Sequence, residues 1–163
     1  QNLDRADFPE TKIDVNTSFM GKSPFKVDWN FKINDENDVF TISGNSFNIP
    51  ESSINSFFAP AMGMKTHGTV NELYFNFRGN SDQASGELQI AYENFKIDAL
   101  KKGSNEKNKF LSAIVNLVVK KDSKTNGETK ANPEAVKRNK TKSFWNYFWK
   151  CLEAGLREAV MKF

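Results

Sequence analysis

The sequence predicts an α+β fold: a curved, mainly antiparallel β-sheet with a short capping helix and a long C-terminal amphipathic helix. Two observations carry that prediction. Residues 24–33 place Phe25, Val27, Trp29, Phe31 and Ile33 on one side and Lys26, Asp28, Asn30 and Lys32 on the other, and strict period-two alternation marks a half-buried strand. At the other end, Phe144, Phe148, Leu152, Leu156 and Val160 recur every four residues, which is the period of a helix with one apolar stripe.

The remaining elements follow in order. Residues 11–20 alternate Ile13, Val15, Thr17 and Phe19 against polar neighbours, and Gly21 to Pro24 supplies a turn into the second strand. Asn34 to Asp38 makes the next turn, and Phe40 and Ile42 begin a third strand. Gly44 and Asn45 interrupt that strand before Phe47 and Ile49 resume it, so a bulge or tight turn is expected near Gly44. Pro50 opens like a helix start, and Ile54, Phe57 and Phe58 hold helical spacing until Pro60, where the helix is expected to stop. Residues 66–79 return to strand with an irregularity at Asn71 and Glu72, and residues 86–98 pair back after a turn begun by Gly79 and Asn80.

Beyond Lys101 two patterns overlap. Phe110, Ile114 and Leu117 fit a helix, whereas Val115, Leu117 and Val119 fit a strand. The reading taken is a short helix near 107–114, a strand near 115–120, a polar loop over 121–133, and a pairing of 135–140 with 115–120. The terminal helix, 143–163, starts from Ser143 as N-cap.

Composition bounds the function. The 163 residues suffice for a single domain, read as a β-sheet body (1–100), a basic connector with a small helix or hairpin (101–142) and the amphipathic helix (143–163). Hydrophobic content is 38%, yet 15 residues are Phe; a sheet with one buried and one wet face gives that balance. The body holds 8 basic against 14 acidic residues, while the connector holds 12 basic against 4 acidic.

Cys151 is the single cysteine and His67 the single histidine. That removes an internal disulfide, a CxxC pair, a zinc set and a His-rich metal site. Cys151 reads as a small packing residue and His67 as a turn or strand-edge residue. Gly44, Asn45 and Ser46, like Gly79, Asn80 and Ser81, start as a nucleophile elbow does but lack its second glycine. No catalytic constellation remains, and no metal or cofactor is expected. No apolar run of about 18 residues spans a bilayer as a helix. The chain begins without Met and carries no signal peptide, which reads as a mature form or an excised piece.

The contact surface expected to matter is the aromatic stripe: Phe144, Trp145, Phe148, Trp149 and Leu152. Tryptophans beside basic residues suit a membrane interface or a protein groove, and the same stripe suits packing across the chain's own sheet. Lys140, Lys142 and Lys150 are weaker candidates for anionic headgroups. Nucleic acid is not expected, because few aromatics interleave with the lysines to stack bases.

Residues 66–102 add a resemblance. The segments His67 to Val70, Leu73 to Phe75, Gly79 and Asn80, Ala84 to Gly86, and Tyr92 to Phe95 resemble, in order, the C-terminal region of the AsmA family. Ile54 to Phe58 ahead of Pro60 is similar to the segment just upstream in that family. Thr141 to Trp145, with Trp149, Lys150, Gly155 and Leu156, is similar to the end of its large Bacteroidetes-type members. The likeness covers roughly 40–163, and residues 1–39 fit only as further sheet.

The resemblance implies a C-terminal fragment of a larger periplasmic protein whose parent is anchored in the inner membrane. It implies a non-enzymatic part in outer-membrane biogenesis and phospholipid transfer, with a phospholipid or membrane surface as partner. The alternative is an interaction module whose terminal helix docks on another envelope protein.

Overall fold

The computed structural model describes residues 9–101 and 129–160. Strands β1 (Thr11–Phe19), β2 (Ser23–Phe31) and β3 (Phe40–Ile49) are followed by helix α1 (Glu51–Met62). Strands β4 (Met64–Gly79) and β5 (Gln83–Ala99), the short β6 (Thr129–Ala131) and β7 (Val136–Lys137), and helix α2 (Phe144–Val160) complete the order. Among the described residues all pairings are antiparallel, and the seven strands form one open sheet in the order β1-β2-β3-β4-β5-β6, with β7 also on β5. The α+β fold with an antiparallel sheet, a short helix and a long C-terminal helix is therefore as expected.

The turns follow from their residues. Met20 and Gly21 take positive φ between β1 and β2 (50° and 72°), and Asn34 and Asp38 do so between β2 and β3 (64° and 51°). Between β4 and β5 the Asn80 side-chain oxygen accepts from the backbone N–H of Asp82 (2.9 Å) and Gln83 (3.0 Å), a local bond that asparagine makes readily. The expected irregularity at Asn71 is a register shift between Val70 and Glu72, and a second shift lies between His67 and Thr69. Gly68 sits at the latter with φ of 102°, where an added Cβ would lie 2.4 Å from the Glu93 carbonyl oxygen.

Several sequence expectations are corrected. β3 runs through Gly44 without a break, pairing there with Val27 and Phe75. The glycine is required by crowding: a Cβ would lie 2.6 Å from Phe75 Cζ and 2.5 Å from the Lys26 carbonyl oxygen. α1 does not end at Pro60 but at Met62, capped by Gly63 at φ of 62°. Residues 129–131, read as loop, form β6 on β5, and Val136 and Lys137 pair with Ala84 and Gln83 of β5. The helix and strand read within 107–120, the pairing of 135–140 with 115–120, and the last three residues of the terminal helix lie outside the described residues.

α1 is fixed at its junction with β4 by one amide. Asn55 donates from Nδ2 to the Thr66 carbonyl (2.8 Å) and accepts at Oδ1 from the Thr66 N–H (2.7 Å). That exchange copies a strand pairing and satisfies backbone groups of the buried Thr66. The core itself lies between α2 and the middle of the sheet. Ile42, Phe75, Phe77, Leu88 and Tyr92 are buried there, each contributing roughly 1.5–3 kcal/mol by leaving water.

Candidate apolar contact surface

The two faces of the sheet are set by register, because paired residues point to the same side. One cross-strand row reads Asp14, Asp28, Ser43, Asn76, Glu87 from β1 to β5 and is polar throughout. The row on the opposite face reads Val15, Val27, Gly44, Phe75, Leu88, Ala131 from β1 to β6. Beside it runs Ile13, Trp29, Ile42, Phe77, Gly86. One face is thus apolar across six strands.

Its burial is not uniform. Phe75, Leu88 and Ala131 have no exposed surface, Val27 and Trp29 are half-buried, and Ile13 and Val15 are 38% and 41% exposed. The cause is α2. Its backbone lies closest to β5, β6 and β7, and Gly155 permits close approach, since a Cβ there would lie 2.8 Å from Leu88 Cβ. Tyr92 Oη donates to the Ala159 carbonyl at 3.5 Å. α2 reaches the apolar face of β2 through side chains, Phe144 stacking on Trp29 and Trp145 meeting it edge-on, while Ile13 and Val15 of β1 stay exposed.

The stripe is rotated from its expected position. Among the described side chains of α2, Tyr147, Cys151, Gly155 and Ala159 are buried. Phe144, Phe148, Leu152 and Leu156 are half-buried along one flank, packed against the core. From that flank Phe144 stacks on Trp29 (4.5 Å between rings, 13° apart) and meets Phe40 edge-on (5.0 Å), while Phe148 lies 5.4 Å from Phe75. The helix therefore packs across its own sheet, and its aromatic flank reaches from β4 back to β2. Ser143 takes part in the cap, its Oγ accepting from the Asn146 N–H at 3.3 Å.

The expected contact residues divide. Phe144, Trp145 and Phe148 cluster, with Trp145 5.6 Å from Phe144 and 6.4 Å from Phe148, and Trp145 meets Trp29 at 5.6 Å. Trp145 is 61% exposed, whereas Trp149 and Leu152 are half-buried. Two strand residues, Ile13 and Val15, lie beside Trp29 on this exposed face but were read only as ordinary strand positions. Their period-two pattern is the same as that of the covered strands, so alternation alone does not separate them.

The lysines do not gather at one place. Lys140 pairs with Asp82 at 2.7 Å, which holds that carboxyl below its usual range. Lys150 pairs with Glu153 at 2.6 Å on the exposed side of α2. Lys142 is exposed, its N–H donating to the Asn139 carbonyl. Arg138, part of the basic connector, reaches Asp38 at 3.1 Å and lies 5.8 Å from the centre of the Tyr147 ring. Burial pushes the Tyr147 hydroxyl up to about 12, the neighbouring Cys151 adding to the effect and Arg138 opposing it. Burial likewise pushes the Cys151 thiol up to about 11, so it stays protonated and serves as a small apolar packing group.

His67 stands in β4 beside the start of α1. Its Nδ1 faces Glu51 at 3.2 Å and its Nε2 faces Asp98 at 3.0 Å. No described helix is long and apolar enough to cross a membrane. No family model, curated protein or solved structure matches this chain.

Proposed function

We propose that this chain is a non-enzymatic module of an AsmA-like bacterial envelope protein that handles phospholipid in the periplasm. The less buried half of its apolar face, β1 and β2, receives acyl chains, and the aromatic flank of α2 forms one wall. One observation carries the reading: the row from Ala131 to Val15 stays apolar across six strands while its exposure rises from 0% to 41%. An extended apolar strip with few polar fixtures suits a hydrocarbon chain better than a polar substrate. The buried Trp29 Nε1 has no hydrogen-bond partner, and it stands at the boundary between the covered and open halves.

The test is native mass spectrometry of the purified chain, followed by organic extraction and identification of bound lipid. Phospholipid or fatty acid is expected on the wild-type chain and absent from Val15→Asp and Val27→Asp. A lipid-free chain that also fails to take up added fatty acid overturns the reading.

A second reading rests on the exposed Trp145, through which α2 docks on another envelope protein. Trp145→Ala together with Trp149→Ala separates the two. Loss of vesicle binding belongs to the first reading; loss of partner capture with no vesicle binding in either form belongs to the second.

A further inference from the structure

We propose that the outer edge of β1 pairs with β1 of a second copy of this chain, antiparallel and centred on Ile13, making one sheet across a two-fold axis. The inference does not depend on lipid binding, and it starts from the edge itself. β1 pairs with β2 over nine successive residues, Thr11 to Phe19, with no register shift and no proline. Among the described residues no strand occupies its other side. An edge of this kind is a template for pairing unless a bulge, a proline, charged side chains or a covering segment protects it; among the described residues β1 has no bulge, proline or cover, and its two charges, Lys12 and Asp14, are of opposite sign. Its apolar residues Ile13 and Val15 are exposed.

Charge then selects the register. On the polar face Asp14 lies directly opposite Asp28, an unfavourable pair, while Lys12 lies opposite Asn30. Neither Lys12 nor Asp14 forms an ion pair among the described residues. In a two-fold antiparallel pairing residues of the same parity face each other. Centring it on Ile13 pairs residues 11–15 of the two copies and sets each Lys12 opposite the other copy's Asp14, giving two attractive pairs and a positive charge next to Asp14 in the row that it shares with Asp28. On the apolar face Ile13 meets its own counterpart and Val15 meets Thr11. Centring on Asp14 sets carboxylate against carboxylate, and centring on Val15 sets Asp14 against Asn16. The Ile13 register joins the exposed apolar ends of both copies into one uninterrupted face.

A strand-edge interface of this length lies below the roughly 1,200 Å² of stable complexes, so association is expected in the micromolar to millimolar range. Sedimentation equilibrium of delipidated chain, from about 10 to about 500 µM, reads it directly. Wild type is expected to dimerise. Lys12→Asp and Asp14→Lys, which turn both attractive pairs repulsive, are each expected to weaken self-association by about tenfold or more. An equimolar mixture of the two variants restores complementary pairs and is expected to regain wild-type association as a heterodimer. Both side chains are exposed, and unchanged melting curves show that the variants fold. A wild-type chain that stays monomeric throughout, or a mixture that associates no better than its components, overturns the proposal. Either result leaves the lipid reading to its own test, because this experiment measures only mass.

Discussion

The β3–β5 half and the β1–β2 half of the sheet share one apolar face, one alternation and one set of aligned rows, yet they end in different states. Over β4 and β5 the helix closes the face, and Phe75, Phe77 and Leu88 leave water entirely. Over β1 the same row emerges as Val15, 41% exposed. Alternation decides which side of a sheet is apolar, and the cover decides whether that side is core or contact surface. Where the cover by α2 ends is therefore where this face passes from buried core to exposed surface.

Substitutions on the two sides of that boundary have different costs. Phe75→Ala, which removes a ring packed against Phe25, Phe77 and Phe148, is expected to cost about 3–5 kcal/mol in urea unfolding. Val27→Ala in the less buried half is expected to cost less than about 1.5 kcal/mol, because its side chain is smaller and already partly exposed. Equal costs contradict the division. Gly155→Val drives a side chain into Leu88; a loss of about 1–3 kcal/mol is expected, with Trp fluorescence shifting to the red as α2 lifts from Trp29.

The covered half also carries an alkaline signature. The thiol of Cys151 and the hydroxyl of Tyr147 are raised from ordinary values of 9.0 and 10.0 to about 11 and about 12. A group raised on folding stabilises fully below its unfolded value, and that contribution disappears as pH rises through the folded one. Stability is expected to be flat up to about pH 9 and to decline between about pH 9 and pH 12. Cys151→Ala is expected to remove the earlier part of the decline in melts taken across that range. The smallest effect belongs to the exposed ring: Trp145→Ala is expected to change unfolding free energy by no more than about 0.5 kcal/mol while reducing vesicle binding.

The sequence was legible where packing follows periodicity. β1 to β5 alternate because each turns every second side chain to the apolar face of the sheet and the others to the polar one, and the irregularity at Asn71 was visible as a break in that rhythm. Gly44 misled because a glycine within a strand resembles a turn, although here it makes room for the Phe75 ring. On α2 the aromatic residues drew the eye to 144, 148 and 152, but the closest approach to the sheet belongs to smaller residues. Gly155, Cys151 and Ala159 let the helix settle, and the large rings then fill the flank. β6 and β7 are too short and polar to leave a pattern. The candidate surface was half legible: Phe144, Trp145 and Phe148 stood out, whereas Val15 and Ile13 became distinguishable only once the extent of the cover was known.

Trp29 marks the boundary, stacked on Phe144 and paired along the sheet with Ile13 and Ile42. The decisive measurement is fluorescence quenching of Trp29 by a brominated fatty acid, in a chain carrying Trp145→Phe and Trp149→Phe. If the open half receives acyl chains, quenching rises saturably with added fatty acid and disappears when Val27→Asp is introduced. Absence of quenching, or quenching that Val27→Asp leaves unchanged, contradicts an acyl-binding face on β1 and β2.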